Sequence, residues 1–179
     1  MEMCFANFYN KWKEKTTGNI KFLILTESPN KVETYFYNDS KDYILGNFDI
    51  SVFYACGINF DPLNHKKSLT EFVEKGFFLL DLVNRPLSGN KGDKEIKDFL
   101  NNSKNLHDLI TEINSLNPEK IILTSRKDLD LFYREKLILF NDKIINKNSI
   151  PIPFGIRKNE PPNQKVFIHD VKQLIENHN

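Results

Sequence analysis

Three short runs of consecutive apolar residues constrain the fold of this chain more than any other feature. The runs are residues 22–25, 77–80 and 121–123, they predict strands at residues 20–25, 77–82 and 120–123, and a polar turn follows each of them. Uninterrupted apolar runs are typical of strands that are buried on both faces, as in parallel sheets covered by helices. A fourth strand is predicted within residues 142–150. The sequence therefore predicts an α/β fold, a three-layer sandwich with a short, mainly parallel four-stranded sheet in which the second and third strands flank the first.

Apolar residues at helical spacing lie between and around these strands. The spacing predicts helices at residues 4–15, 68–75, 94–114, 128–140 and 164–177. Polar residues 101–103 indicate a break in the longest of them, and residues 43–59 are ambiguous between a helix and extended structure. No repeat, low-complexity tract or linker divides the chain, so we predict a single domain over residues 1–179.

The composition is that of a globular chain without a strong charge of either sign. Of the 179 residues, 40% are hydrophobic and 27% are charged, and the formal net charge is +1. This balance argues against disorder and against an overall field that attracts nucleic acid, so any such binding must depend on a local basic patch. The first residues lack a signal-peptide pattern, and no apolar run is long enough to span a membrane. We therefore expect a cytoplasmic protein without membrane contact, and we expect it to be a monomer.

Residue types that hold metals are too few and too scattered to predict a metal site. Cys4 and Cys56 are the only cysteines, and the four histidines show no metal-ligand spacing. The sequence therefore predicts no cofactor, no metal ion and no metal cluster.

Two carboxylates are predicted to lie at the same edge of the sheet. Glu27 follows the first strand in the turn Thr26-Glu27-Ser28-Pro29, and Asp81 ends the second strand. In parallel sheets, ligands bind outside the carboxyl ends of the strands, so this pair suggests a site. Each residue could also serve only as a cap for the turn or helix that follows it. The occurrence of two such carboxylates favours the functional interpretation.

Taken in order, these pieces resemble the uracil-DNA glycosylase superfamily. Thr26-Glu27-Ser28-Pro29 is similar to the family's first motif, and Glu27 falls where one branch of the family carries its catalytic acid. Residues 35–37 lie where a base-stacking aromatic side chain is expected, and residues 76–81 are similar to the strand that ends in a base-reading residue. Segment 151–157 occupies the place of the family's final loop, which presses into the minor groove of DNA.

The resemblance implies roles for individual residues. Glu27 is the implied catalytic residue. The implied base-binding residues are Ser28, Pro29, Tyr35, Phe36 and Asp81. DNA is the implied partner, and residues on loops at the predicted rim could contact it: Arg85, Lys91, Pro153, Arg157 and Lys158.

The chain departs from the family pattern at three points. Asp81 stands where the family usually has Asn. An ionised Asp only accepts hydrogen bonds, so it suits an exocyclic amine of a base. A protonated Asp could mimic the amide of Asn. Segment 151–157 lacks the family's His, a donor that would stabilise the leaving base anion. The iron–sulfur cysteines of the thermophilic branch are missing as well.

The sequence thus predicts a divergent DNA glycosylase-like protein that hydrolyses the N-glycosidic bond of a damaged or unusual base. Breaking this bond passes through an oxocarbenium-like sugar, which a carboxylate such as Glu27 would stabilise. Two alternatives stay open. The same fold could serve as a non-catalytic nucleic-acid or nucleotide-binding module, or the chain could be an unrelated small α/β hydrolase.

Overall fold

The structure, a computed structural model, describes residues 2–16, 20–28, 31–83, 85–87, 92–125, 127–146, 152 and 164–179. A three-stranded parallel sheet lies at the centre of this part of the chain. Its strands are β1 (Phe22–Thr26), β2 (Phe77–Asp81) and β3 (Lys120–Leu123), in the order β2-β1-β3. All pairings are parallel, and Ile24 of β1 lies beside Leu79 on one side and Ile122 on the other. The central position of β1 and the parallel arrangement confirm the prediction from the sequence.

The prediction of a fourth strand is corrected by the structure, which has three strands in the described residues. Within the segment predicted to contain it, Ile144 forms a single parallel bridge with Ile121. Two residues further on, a side chain replaces the backbone: the Leu123 N–H donates to Asn146 Oδ1 at 3.0 Å, and Asn146 Nδ2 donates to the Leu123 carbonyl at 2.8 Å. A primary amide offers the same donor and acceptor as a peptide group, so the edge of β3 is satisfied without a continuing strand.

Seven α-helices surround the sheet in the described part of the chain. They are α1 (Glu2–Lys13), α2 (Asn47–Ala55), α3 (His65–Glu74), α4 (Gly92–Asn101), α5 (Ser103–Leu116), α6 (Lys127–Lys136) and α7 (Gln164–His178). The ambiguous segment 43–59 thus contains a helix, α2. The predicted break near residue 102 is confirmed, because the Asn102 side chain accepts from the N–H groups of Lys104 and Asn105 and starts α5 as its N-cap. None of the described helices combines the length and the apolar character needed to cross a bilayer.

Helices cover both faces of the sheet. Neighbouring residues of a strand point to opposite faces, and on β2 the Phe77 ring packs on Phe72 of α3 while the Phe78 ring packs on Tyr9 of α1. The ring centroids are 5.6 and 5.4 Å apart. Layers therefore lie above and below the sheet, as the sequence predicts for a three-layer α/β fold.

The outer edge of β2 is closed by a tyrosine. Tyr37 is fully buried, its hydroxyl donates to the Leu79 carbonyl at 3.0 Å, and it accepts from the Leu79 N–H at 2.7 Å. Its ring also stacks on Phe78, with centroids 5.1 Å apart. One hydroxyl group thus satisfies the N–H and the carbonyl of a residue that, in the described part of the chain, has no strand beside it on this side.

Candidate functional site

The carboxyl ends of β1 and β2 are held side by side. Thr26 lies in register with Asp81, and its Oγ1 donates to Asp81 Oδ1 at 2.5 Å. Backbone pairing continues for two residues beyond β2. Leu82 N donates to the Thr26 carbonyl at 2.8 Å, and Val83 N donates to the Glu27 carbonyl at 3.0 Å. The predicted carboxylates, Glu27 and Asp81, therefore lie at the same end of the sheet.

A cleft of about 690 Å³ opens beside the end of β2. It is bounded by α1, by residues 80–82 and by helices α4 and α5. Three of the residues predicted from the sequence line it, namely Tyr35, Asp81 and Arg85. The cleft thus brings an aromatic ring and a strand-end carboxyl group together, as expected of a site that holds a planar ligand.

One wall of the cleft is aromatic. Phe5, Tyr9, Tyr35 and Phe99 all line it. The rings of Phe5 and Tyr35 meet edge to face, with centroids 4.9 Å apart and an interplanar angle of 89°. Tyr9 is fixed from the other side, since its hydroxyl donates to Glu112 Oε1 at 2.6 Å. Tyr35 and Phe5 are 4% and 5% exposed, so their rings support the wall from behind, whereas Tyr9 and Phe99 are half-buried and are the rings that a ligand could contact.

The rest of the lining is acidic. Five carboxyl groups line the cleft, those of Asp81, Glu95, Asp98, Asp108 and Glu112. Among these lining residues, Arg85 is the one basic side chain, and its Nη1 donates to Glu95 Oε2 at 3.1 Å. The guanidinium group is therefore engaged by a carboxylate of the cleft itself. The cleft as a whole favours a ligand with hydrogen-bond donors or positive charge and disfavours a phosphate.

Asp81 has an unusual titration. Its burial, together with the negative charge of Asp49, raises the pKa of Asp81 to about 7, and the hydrogen bond from Thr26 opposes this rise. Near neutral pH, its carboxyl group is therefore present in both the protonated and the ionised form. The first can donate a hydrogen bond to a ligand and the second only accepts.

A second buried carboxyl group lies behind the site. Asp49 of α2 is 2% exposed and accepts hydrogen bonds from the Tyr43 hydroxyl and from Gly46 N, the latter at 3.3 Å. Burial raises the pKa of Asp49 to about 7 despite these hydrogen bonds. The Tyr43 ring in turn stacks on His65, with centroids 3.8 Å apart. Sequence reasoning did not single out this group, because helix α2 was ambiguous in the pattern.

The other predicted base-binding residues have different surroundings. Phe36 is 3% exposed and packs on Phe53 and Phe72, with centroids 5.1 and 5.2 Å apart, so its ring belongs to the core and not to the cleft lining. Glu27 and Ser28 are half-buried at the end of β1 and lie next to the cleft without being among its lining residues. Of the three aromatic residues in the 35–37 cluster, the structure therefore places only Tyr35 in the cleft.

Several predictions fall on residues outside the part of the chain that the structure describes. They concern Pro29, Lys91, Pro153, Arg157 and Lys158. Within segment 151–157, Ile152 is described. It is buried, and its carbonyl accepts from Ser125 N at 3.1 Å, directly after β3. This contact places one residue of the segment at the same end of the sheet as Glu27 and Asp81.

The acidic residues on α4 and α5 were missed by the sequence analysis. Glu95 and Asp98 are three residues apart, and Asp108 and Glu112 are four apart, so each pair lies on one side of its helix. This spacing could have indicated from the sequence that each helix has an acidic side. What the sequence did not reveal is that both helices turn these sides toward the end of β2.

The described residues contain no group of three or more His, Cys, Asp or Glu side chains arranged to hold a metal ion. Comparison of the chain with protein-family models, with curated proteins and with solved structures finds no match. The geometry and chemistry of the cleft therefore carry the functional argument.

Proposed function

We propose that the protein receives a nucleobase in this cleft and hydrolyses its N-glycosidic bond, as a divergent DNA glycosylase-like enzyme. The observation that carries the proposal is the shared position of the aromatic wall, with its half-buried Tyr9 and Phe99, and Asp81. An aromatic ring and a strand-end carboxyl group line one cleft, and Glu27 directly follows the neighbouring strand. A flipped base needs a stacking surface and polar groups that meet its edge, and both are present.

In this proposal the base stacks on the aromatic wall and Asp81 contacts its edge. The carboxylate of Glu27 stabilises the positive charge that develops on the sugar and orients the attacking water. Glu27 directly follows a buried strand, and its backbone carbonyl is bonded to Val83 N, which fixes the start of the turn. This backbone contact fixes the point from which the Glu27 side chain extends, as a preorganised site requires.

A non-catalytic base- or nucleotide-binding module is the second candidate. It is favoured by the position of Glu27, which lies beside the cleft and is not one of its lining residues. In that case the cleft would hold a base without cleaving any bond.

The test is release of free base from oligonucleotides that carry uracil, a deaminated purine or an alkylated purine. The parent protein is compared with Glu27→Gln and Asp81→Asn, and with Glu33→Gln as a matched control, since Glu33 is an exposed carboxylate six residues further along. We expect Glu27→Gln to lose activity by about 100-fold or more while Glu33→Gln keeps it.

Unchanged activity in Glu27→Gln would remove Glu27 from the mechanism. If the parent protein releases none of these bases but binds the oligonucleotides through the cleft, so that Asp81→Asn alters binding, the non-catalytic module is the correct account.

A further inference from the structure

The chemistry of the cleft points to a narrower class of base. Resting on the function proposed above, we infer that the cleft selects a base that already carries a positive charge, namely a purine alkylated on a ring nitrogen. The inference combines two observations, the aromatic wall and the carboxyl groups around it.

The first step concerns binding. A cation is attracted to the face of an aromatic ring, and a desolvated ring binds it more strongly than an exposed one. Tyr9 and Phe99 are the half-buried rings of the wall, and behind them Tyr35 and Phe5 are buried and pack edge to face. A positively charged purine would stack on this wall with more stabilisation than the neutral purine of the same shape.

The second step concerns the charge around the ligand. Asp98 and Asp108 are exposed carboxylates at the rim of the cleft, on α4 and α5, and Asp81 lies at its base. Arg85 pairs with Glu95 at 3.1 Å and Lys13 pairs with Glu112 at 2.7 Å, so these two pairs are neutral and the negative charge of the cleft comes from Asp81, Asp98 and Asp108. The surroundings therefore attract a cation and repel an anion.

The third step concerns bond cleavage. When water attacks C1′ of the sugar, the bond from C1′ to the base nitrogen breaks and its electron pair moves into the base. An alkylated, positively charged purine is neutralised by this pair and leaves as a neutral molecule, and the proton released by the water passes to Glu27 and then to solvent. Such a leaving group needs no donor to stabilise an anion.

Uracil behaves in the opposite way. It would leave as an anion into a cleft lined by carboxyl groups. The same lining that favours a cationic base thus disfavours uracil both as a ligand and as a leaving group.

The experiment uses the full chain and two matched nucleosides, 7-methyl-2′-deoxyguanosine and 2′-deoxyguanosine, which differ by one methyl group and one positive charge. Binding of both is measured by calorimetry, and release of 7-methylguanine, hypoxanthine and uracil from oligonucleotides is measured by chromatography against a protein-free control. We expect the methylated nucleoside to bind at least tenfold more tightly and 7-methylguanine to be released fastest.

Substitution of two carboxylates at the rim of the cleft is the decisive test. Asp98→Asn combined with Asp108→Asn removes two exposed carboxylates of the cleft, and we expect it to reduce the preference for the cation by about tenfold. Asp42→Asn combined with Asp142→Asn changes the net charge equally at exposed positions outside the cleft and should leave the preference unchanged. Equal effects of the two double variants would overturn the inference.

The remaining outcomes separate the two proposals. Release of uracil or hypoxanthine without a preference for the methylated base overturns this inference and supports the glycosylase function. Preferential binding of the cationic nucleoside without release of any base supports the selectivity and overturns the hydrolytic function. Equal binding of the two nucleosides without any release overturns both.

Discussion

Replacing Tyr37 by Phe removes a single oxygen atom and should destabilise the fold. The hydroxyl makes hydrogen bonds to the N–H and to the carbonyl of Leu79. The side chain is 0% exposed, so water cannot take the place of the hydroxyl group. Phe would keep the stacking on Phe78 but would leave one buried N–H and one buried carbonyl without a partner. At about 1–3 kcal/mol for each such group, we expect a loss of about 2–6 kcal/mol in the free energy of unfolding.

Urea denaturation followed by circular dichroism measures this loss directly, and thermal unfolding checks it. For a chain of this size the loss corresponds to a decrease in Tm of roughly 4–24 °C. Tyr54→Phe is the matched control, because Tyr54 is 52% exposed and its substitution should change stability by less than about 0.5 kcal/mol. A loss below about 1 kcal/mol for Tyr37→Phe, or one equal to that of the control, would refute the reasoning.

The remaining predictions concern two buried titratable groups. Since the pKa of Asp49 is raised to about 7, its contribution to stability is largest at low pH and is lost as the pH rises through 7. The stability of Asp49→Asn relative to the parent should therefore increase by about 1.4 kcal/mol between pH 6 and pH 8 in urea denaturation, and an equal difference at both pH values would contradict this. Burial also raises the pKa of the Cys56 thiol. In a Cys4→Ser background, a thiol reagent should thus modify Cys56 about 1,000-fold more slowly in buffer than in denaturant, and rapid labelling of the folded protein would show that the thiol is accessible.

The strands could be predicted from the sequence because their signal is local. Each apolar run is long enough to be a strand, is buried on both faces, and ends in a turn that its own residues define. The predicted 120–123 strand coincides with β3, and the other two agree with β1 and β2 to within one or two residues. The central position of the first strand was predicted from three apolar runs that are each followed by a polar turn and a helix, and the order β2-β1-β3 confirms it.

The fourth strand could not be resolved in this way, since its role at the edge is taken partly by a side chain. The apolar pair Ile144-Ile145 looks like the start of a strand, and one bridge to Ile121 does form. The amide of Asn146 then meets Leu123 in place of a peptide group. Hydrophobic patterns record which residues are apolar, and they contain no information about a polar side chain that imitates the backbone.

The choice between Tyr35 and Phe36 was equally beyond the sequence. The backbone at Tyr35 is extended, so consecutive side chains point in nearly opposite directions, one to the cleft and one to the core. Both residues are aromatic, and their pattern does not say which one faces which way. The acidic lining needed the tertiary structure as well, because its carboxyl groups come from the end of β2 and from two helices that follow it.

The closed edges of the sheet have a consequence for how this protein meets other chains. A strand whose outer N–H and carbonyl groups are free can be extended by a strand from a second molecule, which leads to β-augmentation or to aggregation. Here the outward peptide groups of Leu79 and Leu123 are already bonded to a tyrosine hydroxyl and to an asparagine amide. A peptide strand could therefore dock at either position only by displacing a buried side chain. Partners should approach through side-chain surfaces instead, and variants that free these edges should be the ones that aggregate.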